Sequence, residues 1–253
     1  MSLSGPPADE SARHADVMRF LSSRDFAPGA IIATDPRAIV LDLEAGSRSL
    51  GEPLANLPVD RFSQLVDRAM ERAGTGYAYG RWGERREIYS SELFAEPNPD
   101  DERRSVHMGI DVFCAPGTPV YAPIDGRVHV KANNVAELDY GPLLVLEHAT
   151  PDGVPFFTLY GHLSSAGYAH IRQGQAVGRG DRIADVGSPP ENGNWPPHLH
   201  LQLILDLKGL GADFPGVARP SEADHWLALS PSPAVFFTGV TTSRLDARGG
   251  VRP

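Results

Sequence analysis

The sequence predicts a mainly β protein, and three observations carry that reading. Between residues 106 and 206 the apolar residues come in short runs: Pro119–Ala122, Gly126–Lys131, Leu143–His148, Pro155–Tyr160, Arg182–Val186 and His198–Leu205. Gly- and Pro-containing turns cut these runs apart, among them Ala115-Pro116-Gly117 and Ile124-Asp125-Gly126, the latter a hairpin signal. Helical spacing is read only in the first hundred residues. Several short strands with frequent turns point to an all-β sandwich or barrel.

The elements follow in order. Residues 1 to 27 read as a frayed leader with a short helix over Ala15–Leu21. Ala38–Leu43 reads as a strand closed by Glu44-Ala45-Gly46-Ser47. Asp60 is placed as a helix N-cap, because Phe62, Leu65, Val66, Ala69 and Met70 recur at helical spacing behind it. Gly74 and Gly76 stop that helix, and Glu96–Asp101 reads as a linker. Residues 1–100 are therefore expected as a small α+β extension, and 101–253 as the β domain with a C-terminal tail. Phe214, Trp226, Leu227, Phe236 and Phe237 are expected to pack that tail back onto the strands.

Composition narrows the function classes. The apolar share of 41% and charged share of 22% are those of a globular protein. A net charge of −9 gives a nucleic-acid partner little electrostatic support and fits poorly with adhesion to anionic cell walls. The single cysteine, Cys114, rules out an intrachain disulfide and is expected to be a buried thiol. No stretch has the roughly twenty apolar residues of a membrane span, and Met1–Asp16 carries no apolar signal core. A cytoplasmic location is the expectation for the chain as it stands, and the cell envelope if a leader has been removed.

Chemistry concentrates in three short pieces: His107-Met108-Gly109-Ile110-Asp111, Tyr160-Gly161-His162-Leu163 and His198-Leu199-His200. They offer four imidazoles and a carboxylate, enough for one divalent zinc with an open position and two unligated histidines beside it. Side chains alternate across a strand. His107, Gly109 and Asp111 then share a face, as do His198, His200 and Gln202, with apolar residues opposite. The same rule groups Thr158, Tyr160 and His162 away from Phe157 and Leu159. The helical H-E-x-x-H motif is absent, so any ligands come from strands. His14, His129, His148, His170 and His225 lack such partners and read as structural.

These residues carry a resemblance. The segments H-M-G-I-D-V-F-C-A-P-G-T-P-V-Y-A-P-I-D-G-R-V, L-L-V-L-E-H, L-Y-G-H-L, G-Q-A-V-G-R-G-D-R-I-A-D-V-G and P-H-L-H-L-Q resemble, in this order over 106 to 206, the lysostaphin-type zinc metalloendopeptidases. The resemblance implies a barrel-sandwich hybrid (duplicated hybrid motif) core of antiparallel strands, with zinc in a groove on one sheet. It implies cleavage of peptide bridges in peptidoglycan or a similar peptide substrate. It makes His107, Asp111 and His200 the zinc ligands, and His162 and His198 the catalytic pair. One imidazole would take a proton from water and the other would hydrogen-bond the developing oxyanion. Before His198 the segment Gly187–Pro197 holds four prolines and Trp195, a stiffened wall. The segment Asn133–Tyr140 carries Glu137 and Asp139.

A looser resemblance covers Tyr79–Tyr89 and Glu102–His107, similar to peptidase-like modules that sit beside class-III aminotransferase domains. It implies association with other enzyme domains, and Arg81, Arg85, Arg86, Arg103 and Arg104 as carboxylate binders. Solvated surface arginines are the plainer expectation. The alternative function is a cytosolic barrel-sandwich module of a multidomain amino-acid or amine-metabolising system, binding metal or a small ligand without cutting peptidoglycan. Lys131 lacks the flanking pattern of a biotinyl or lipoyl carrier. A last expectation is that residues 1–100 cover the groove, with Asn98 replacing a water on the zinc.

Overall fold

The computed structural model describes residues 8–33, 35–89, 94–95, 102–237 and 239–247. The linker 96–100 with Asn98, and Asp101, lie outside these.

Helix α1 (Ala8–Leu21) starts earlier than expected. Strand β1 (Ile39–Val40) is shorter than the apolar run that announced it. Helix α2 (Val59–Ala73) begins after Pro58, so Asp60 lies in the first turn and does not cap it. A carboxylate there still favours the positive end of the helix. Gly74 closes α2 at φ 65°, the left-handed conformation that suits glycine.

The strands that follow are β2 (Ala78–Gly80), β3 (Val106–His107), β4 (Ile110–Phe113), β5 (Pro119–Tyr121), β6 (Gly126–Asn134), β7 (Gly141–Ala149), β8 (Pro155–Gly161), β9 (Ala176–Val177), β10 (Arg182–Asp185), β11 (His198–Ile204) and β12 (Val217–Ala218); helix α3 (Ala223–Leu229) comes last. The main sheet runs β1-β2-β4-β11-β8-β7-β6-β9, and the pairs β10–β5 and β12–β3 stand apart from it. Every pairing is antiparallel except β1–β2. The mainly β expectation holds, with one addition. The N-terminal part supplies β1 and β2 to the same sheet, so it is built into the β domain's edge.

Ile124-Asp125-Gly126 does not close a hairpin. β5 pairs with β10 while β6 pairs with β7 and β9, so this turn moves the chain from one sheet to another. The Asp125 carbonyl is taken by His148 Nδ1–H at 2.8 Å, and its side chain accepts from Arg179 N at 2.7 Å. Those contacts fix the crossing.

Alternation splits the sheet into two faces. Ile110, Val112, Leu199, Leu201 and Leu203 turn into the larger core, with Val120, Ile183 and Val186 from around the β5–β10 pair. Phe214, Leu227, Phe236 and Phe237 of the tail join that cluster. Cys114 is buried there, and burial pushes its thiol up to about 11. On the other face α2 supplies Phe62, Leu65, Val66 and Ala69 to a second cluster. Phe113, Leu138, Trp195 and Val217 belong to it too. The polar pieces therefore lie between the sheet and the N-terminal part.

Candidate metal centre

Register assembles the centre. β11 pairs with β4 so that His200 faces Asp111 and His198 faces Phe113. On its other edge His200 stands opposite Gly161 of β8. His107 arrives from β3, one bend before β4. His107 Nε2 lies 3.0 Å from His200 Nδ1 and 3.1 Å from Asp111 Oδ1, and His200 Nδ1 lies 3.1 Å from the same oxygen.

Each of these nitrogens is bare, because its ring partner holds the proton. His107 Nδ1 faces the Arg81 carbonyl at 2.9 Å; a carbonyl only accepts, so Nδ1 is the protonated nitrogen. His200 Nε2 faces Gln202 Oε1 at 2.8 Å. The Gln202 amide nitrogen donates to Pro215 O at 3.2 Å, which fixes its oxygen toward the ring. The Tyr140 hydroxyl also reaches Gln202 Oε1, at 2.8 Å. Two bare nitrogens and a carboxylate oxygen thus converge with no proton among them. Such a triangle of lone pairs suits a cation. A tetrahedral zinc with bonds of about 2.0–2.1 Å would want ligand separations of about 3.3–3.4 Å, a few tenths beyond those seen.

The far oxygen of Asp111 is used differently. Arg86 Nη1 donates to Oδ2 at 2.6 Å. Burial alone raises the Asp111 carboxyl, but the charged Arg86 on Oδ2 helps hold the group well below the usual range. Burial, with Arg86 beside it, lowers His107 to about 4, so the neutral ring is the stable form.

His162 and His198 stand next to the triangle, their rings 4.3 Å apart between centroids. His162 Nδ1–H donates to Asn192 O at 2.8 Å and His198 Nδ1–H to Pro196 O at 2.7 Å. Both therefore present Nε2, and His198 Nε2 lies 3.7 Å from Asp111 Oδ1. Burial, then the neighbouring imidazoles, push His162 well below its ordinary value, and burial lowers His198 as well.

The route by which His162 arrives differs from the alternation argument. Cross-strand pairing puts Tyr160 opposite Leu201, on the core face, and Gly161 opposite His200. His162 would follow Tyr160 inward if the strand continued. It takes φ 61° instead, a left-handed kink just past the end of β8. Gly161 leaves room for the neighbouring ring: a Cβ there would meet Tyr140 Cδ1 at 2.7 Å.

The five side chains are only 1% to 6% exposed and line a pocket of about 260 Å³. Trp195 closes one wall, its indole N–H donating to Leu138 O at 3.1 Å and its ring edge-on to His162 and His198. Phe62, Ile88, Tyr89 and Phe94 bring the N-terminal part to the same pocket, with Arg104 and Asp139 among its polar lining. Asp139 is raised by burial, and Glu137 is exposed.

Arg86 corrects an expectation. It is 4% exposed and ion-paired, not a solvated surface arginine. Of the histidines read as structural, His148 is buried with both nitrogens partnered, and His129 pairs with Glu147 at 2.8 Å. Sequence reading missed Tyr140, the Arg81 carbonyl and the ion pair on Asp111. It did set Gln202 on the same face as His198 and His200.

Comparison with known proteins bears on the class of protein. Residues 105–210 match the family model for Peptidase family M23, and this stretch is an M23 peptidase domain. An uncharacterized metalloprotease of Haemophilus influenzae is 34% identical over 139 residues, 54% of this chain and 26% of the relative. Peptidoglycan DD-endopeptidase ShyB of Vibrio cholerae is 29% identical over 181 residues, 66% of this chain and 38% of the relative. The chain thus spans well under half the length of these curated relatives. The crystallised catalytic domain of lysostaphin from Staphylococcus simulans is 27% identical, with 46% of this chain and 77% of that one covered and a TM-score of 0.34.

Proposed function

We propose that this chain is a zinc-dependent hydrolase of peptide bonds, a metalloendopeptidase, with His107 Nε2, Asp111 Oδ1 and His200 Nδ1 holding the metal. One observation carries the reading: these three atoms, each with its proton-bearing or far side tied to a fixed partner, face one another at 3.0–3.1 Å. Zinc held there would lower the pKa of water toward ~7 and polarise an amide carbonyl.

The remaining chemistry belongs to His162 and His198. Each has Nδ1–H anchored to a backbone carbonyl, so each Nε2 is free to accept a proton. One takes it from the attacking water and returns it to the leaving amine. The protonated Nε2–H is also the only form of either ring that can donate a hydrogen bond to an oxyanion. The two roles are therefore linked to one proton held by the pair. Burial that favours neutral rings keeps the pair ready as a base.

The relatives' names support peptidoglycan as the substrate class. A pocket of about 260 Å³ suits a narrow peptide segment better than a folded protein.

The test is a panel of pentaglycine, D-Ala-containing and γ-glutamyl peptides given to the zinc-loaded chain, with release of amine as the readout. Cleavage that a chelator abolishes and zinc restores is the expected result. A chain that carries no zinc after gentle purification, and takes none up, would remove the basis of the reading.

A further inference from the structure

Two of the three metal-facing groups are oriented by one short stretch of the N-terminal part. The Arg81 carbonyl takes the His107 proton, and Arg86 holds Asp111 Oδ2. His200 is oriented from within β11, by Gln202.

Arg86 is clamped for this task. Its Nε donates to Glu84 Oε2 at 2.9 Å, and Glu84 is fully buried. Glu84 spends its other oxygen on the Leu43 N–H at 2.8 Å and on Arg81 Nε at 3.0 Å. One end of the guanidinium is thereby fixed, and the other reaches Asp111. The path runs over Gly80, which stands opposite Asp111 in the β2–β4 register. A Cβ at residue 80 would lie 2.6 Å from Arg86 Nη2 and 3.0 Å from Asp111 Oδ2, so a larger residue would block the reach.

We propose that Arg86 is a positioning residue for the metal centre: by holding Asp111 Oδ2 it leaves Oδ1 alone to face the two imidazoles. A carboxylate with both oxygens free can enter a metal's shell through one or two of them. Arg86 settles that choice for one. Glu84 offsets its charge, so its contribution is orientation more than field. The stretch 81–86 then belongs to the centre and is not a detachable cover. The inference rests on the metal-site reading above.

The test uses the full chain, Arg86→Lys, and the double variant Arg86→Gln with Glu84→Gln. Both changes preserve the summed charge of the buried pair and remove the fork. Circular-dichroism melts check that each variant folds cooperatively. Zinc affinity, read by competition with a chromophoric chelator, should fall about 10–100-fold in both. The visible bands of the cobalt-loaded variants should weaken as a second carboxylate oxygen enters the shell. Affinity within twofold of wild type with an unchanged cobalt spectrum would overturn the proposal.

X-ray absorption of the zinc-loaded wild type needs no variant. It should show Asp111 bound through one oxygen, and a bidentate carboxylate there would equally overturn the proposal. A wild type without zinc affinity sinks the metal reading and this one together. A zinc-binding wild type with indifferent folded variants sinks this one alone.

Discussion

Among the described residues, two clusters of histidine and carboxylate bring three ligand-type atoms together, and they are built to opposite ends. At the centre, His107, Asp111 and His200 converge; away from it, buried Glu10 and half-buried His14 of α1 meet Asp206 beyond β11. In the outer cluster the chain brings its own cation: Lys208 Nζ pairs with Glu10 and lies 3.2 Å from Asp206. In the inner one the available cation, Arg86, is held on the far oxygen of Asp111, and the near atoms face each other and the His198 ring. Proximity of ligand atoms is common to both. What separates them is whether the lone pairs already have a positive partner.

The sharpest way to break this contrast is at the inner cluster. Asp111→Ala or His200→Ala should take bound zinc from about one per chain to none, measured by metal analysis, and abolish turnover with it. His162→Ala should separate the two functions: zinc stays, and kcat falls about 10²–10⁴-fold in a peptide-cleavage assay. Loss of zinc from His162→Ala would mean that the pair and the triangle are one ligand set.

The triangle itself was largely legible in the sequence, and its support was not. Alternation placed Asp111, His198 and His200 correctly because β4 and β11 really are extended and paired in register, whereas His107 comes from β3, across a bend and outside that register. It failed at Thr158 and Tyr160, which stand opposite the core residues Leu203 and Leu201; His162 reaches the centre through one left-handed residue, and a pattern of period two cannot register a kink just past the strand's end. Arg86 was unreadable for another reason. Its value depends on Gly80, Glu84 and Asp111 meeting across strands, and an arginine among several in a charged run carries no mark of burial. The helix periodicity of α2 was plain, yet nothing in it announced that Phe62 would reach the pocket.

A buried histidine outside both clusters sharpens the contrast from inside the core. His148 Nδ1–H donates to Asp125 O, and its Nε2 lies 2.8 Å from the Thr158 hydroxyl, so each nitrogen has a complementary partner. Burial lowers it from 6.5 to about 4. Folding therefore favours the neutral ring. The stabilisation is fully present above pH 6.5 and is lost as pH falls through about 4, because the unfolded chain takes up the proton first. The gap corresponds to about 3 kcal/mol. Urea midpoints from pH 7 down to 4 should fall less steeply for His148→Gln than for wild type. Parallel slopes would show that this ring does not resist protonation.

The smallest effect is expected where the chain supplies its own cation. Lys208→Met removes the ammonium shared by Glu10 and Asp206, at a site where Lys208 itself remains a third exposed. Solvent screens the Lys208 side of the pair although Glu10 is nearly buried, so stability should fall by about 1 kcal/mol in thermal melts. The more telling measurement is stoichiometry. Zinc titration of the wild-type chain, followed by calorimetry, should saturate at one equivalent, because an ammonium already occupies the space between the outer cluster's carboxylates. The Lys208→Met chain should keep that tight equivalent unchanged, since nothing at the centre touches Lys208. A second tight equivalent in the wild type would show that an internal ammonium does not keep a histidine–carboxylate cluster from binding metal, and the distinction between the two clusters would fail.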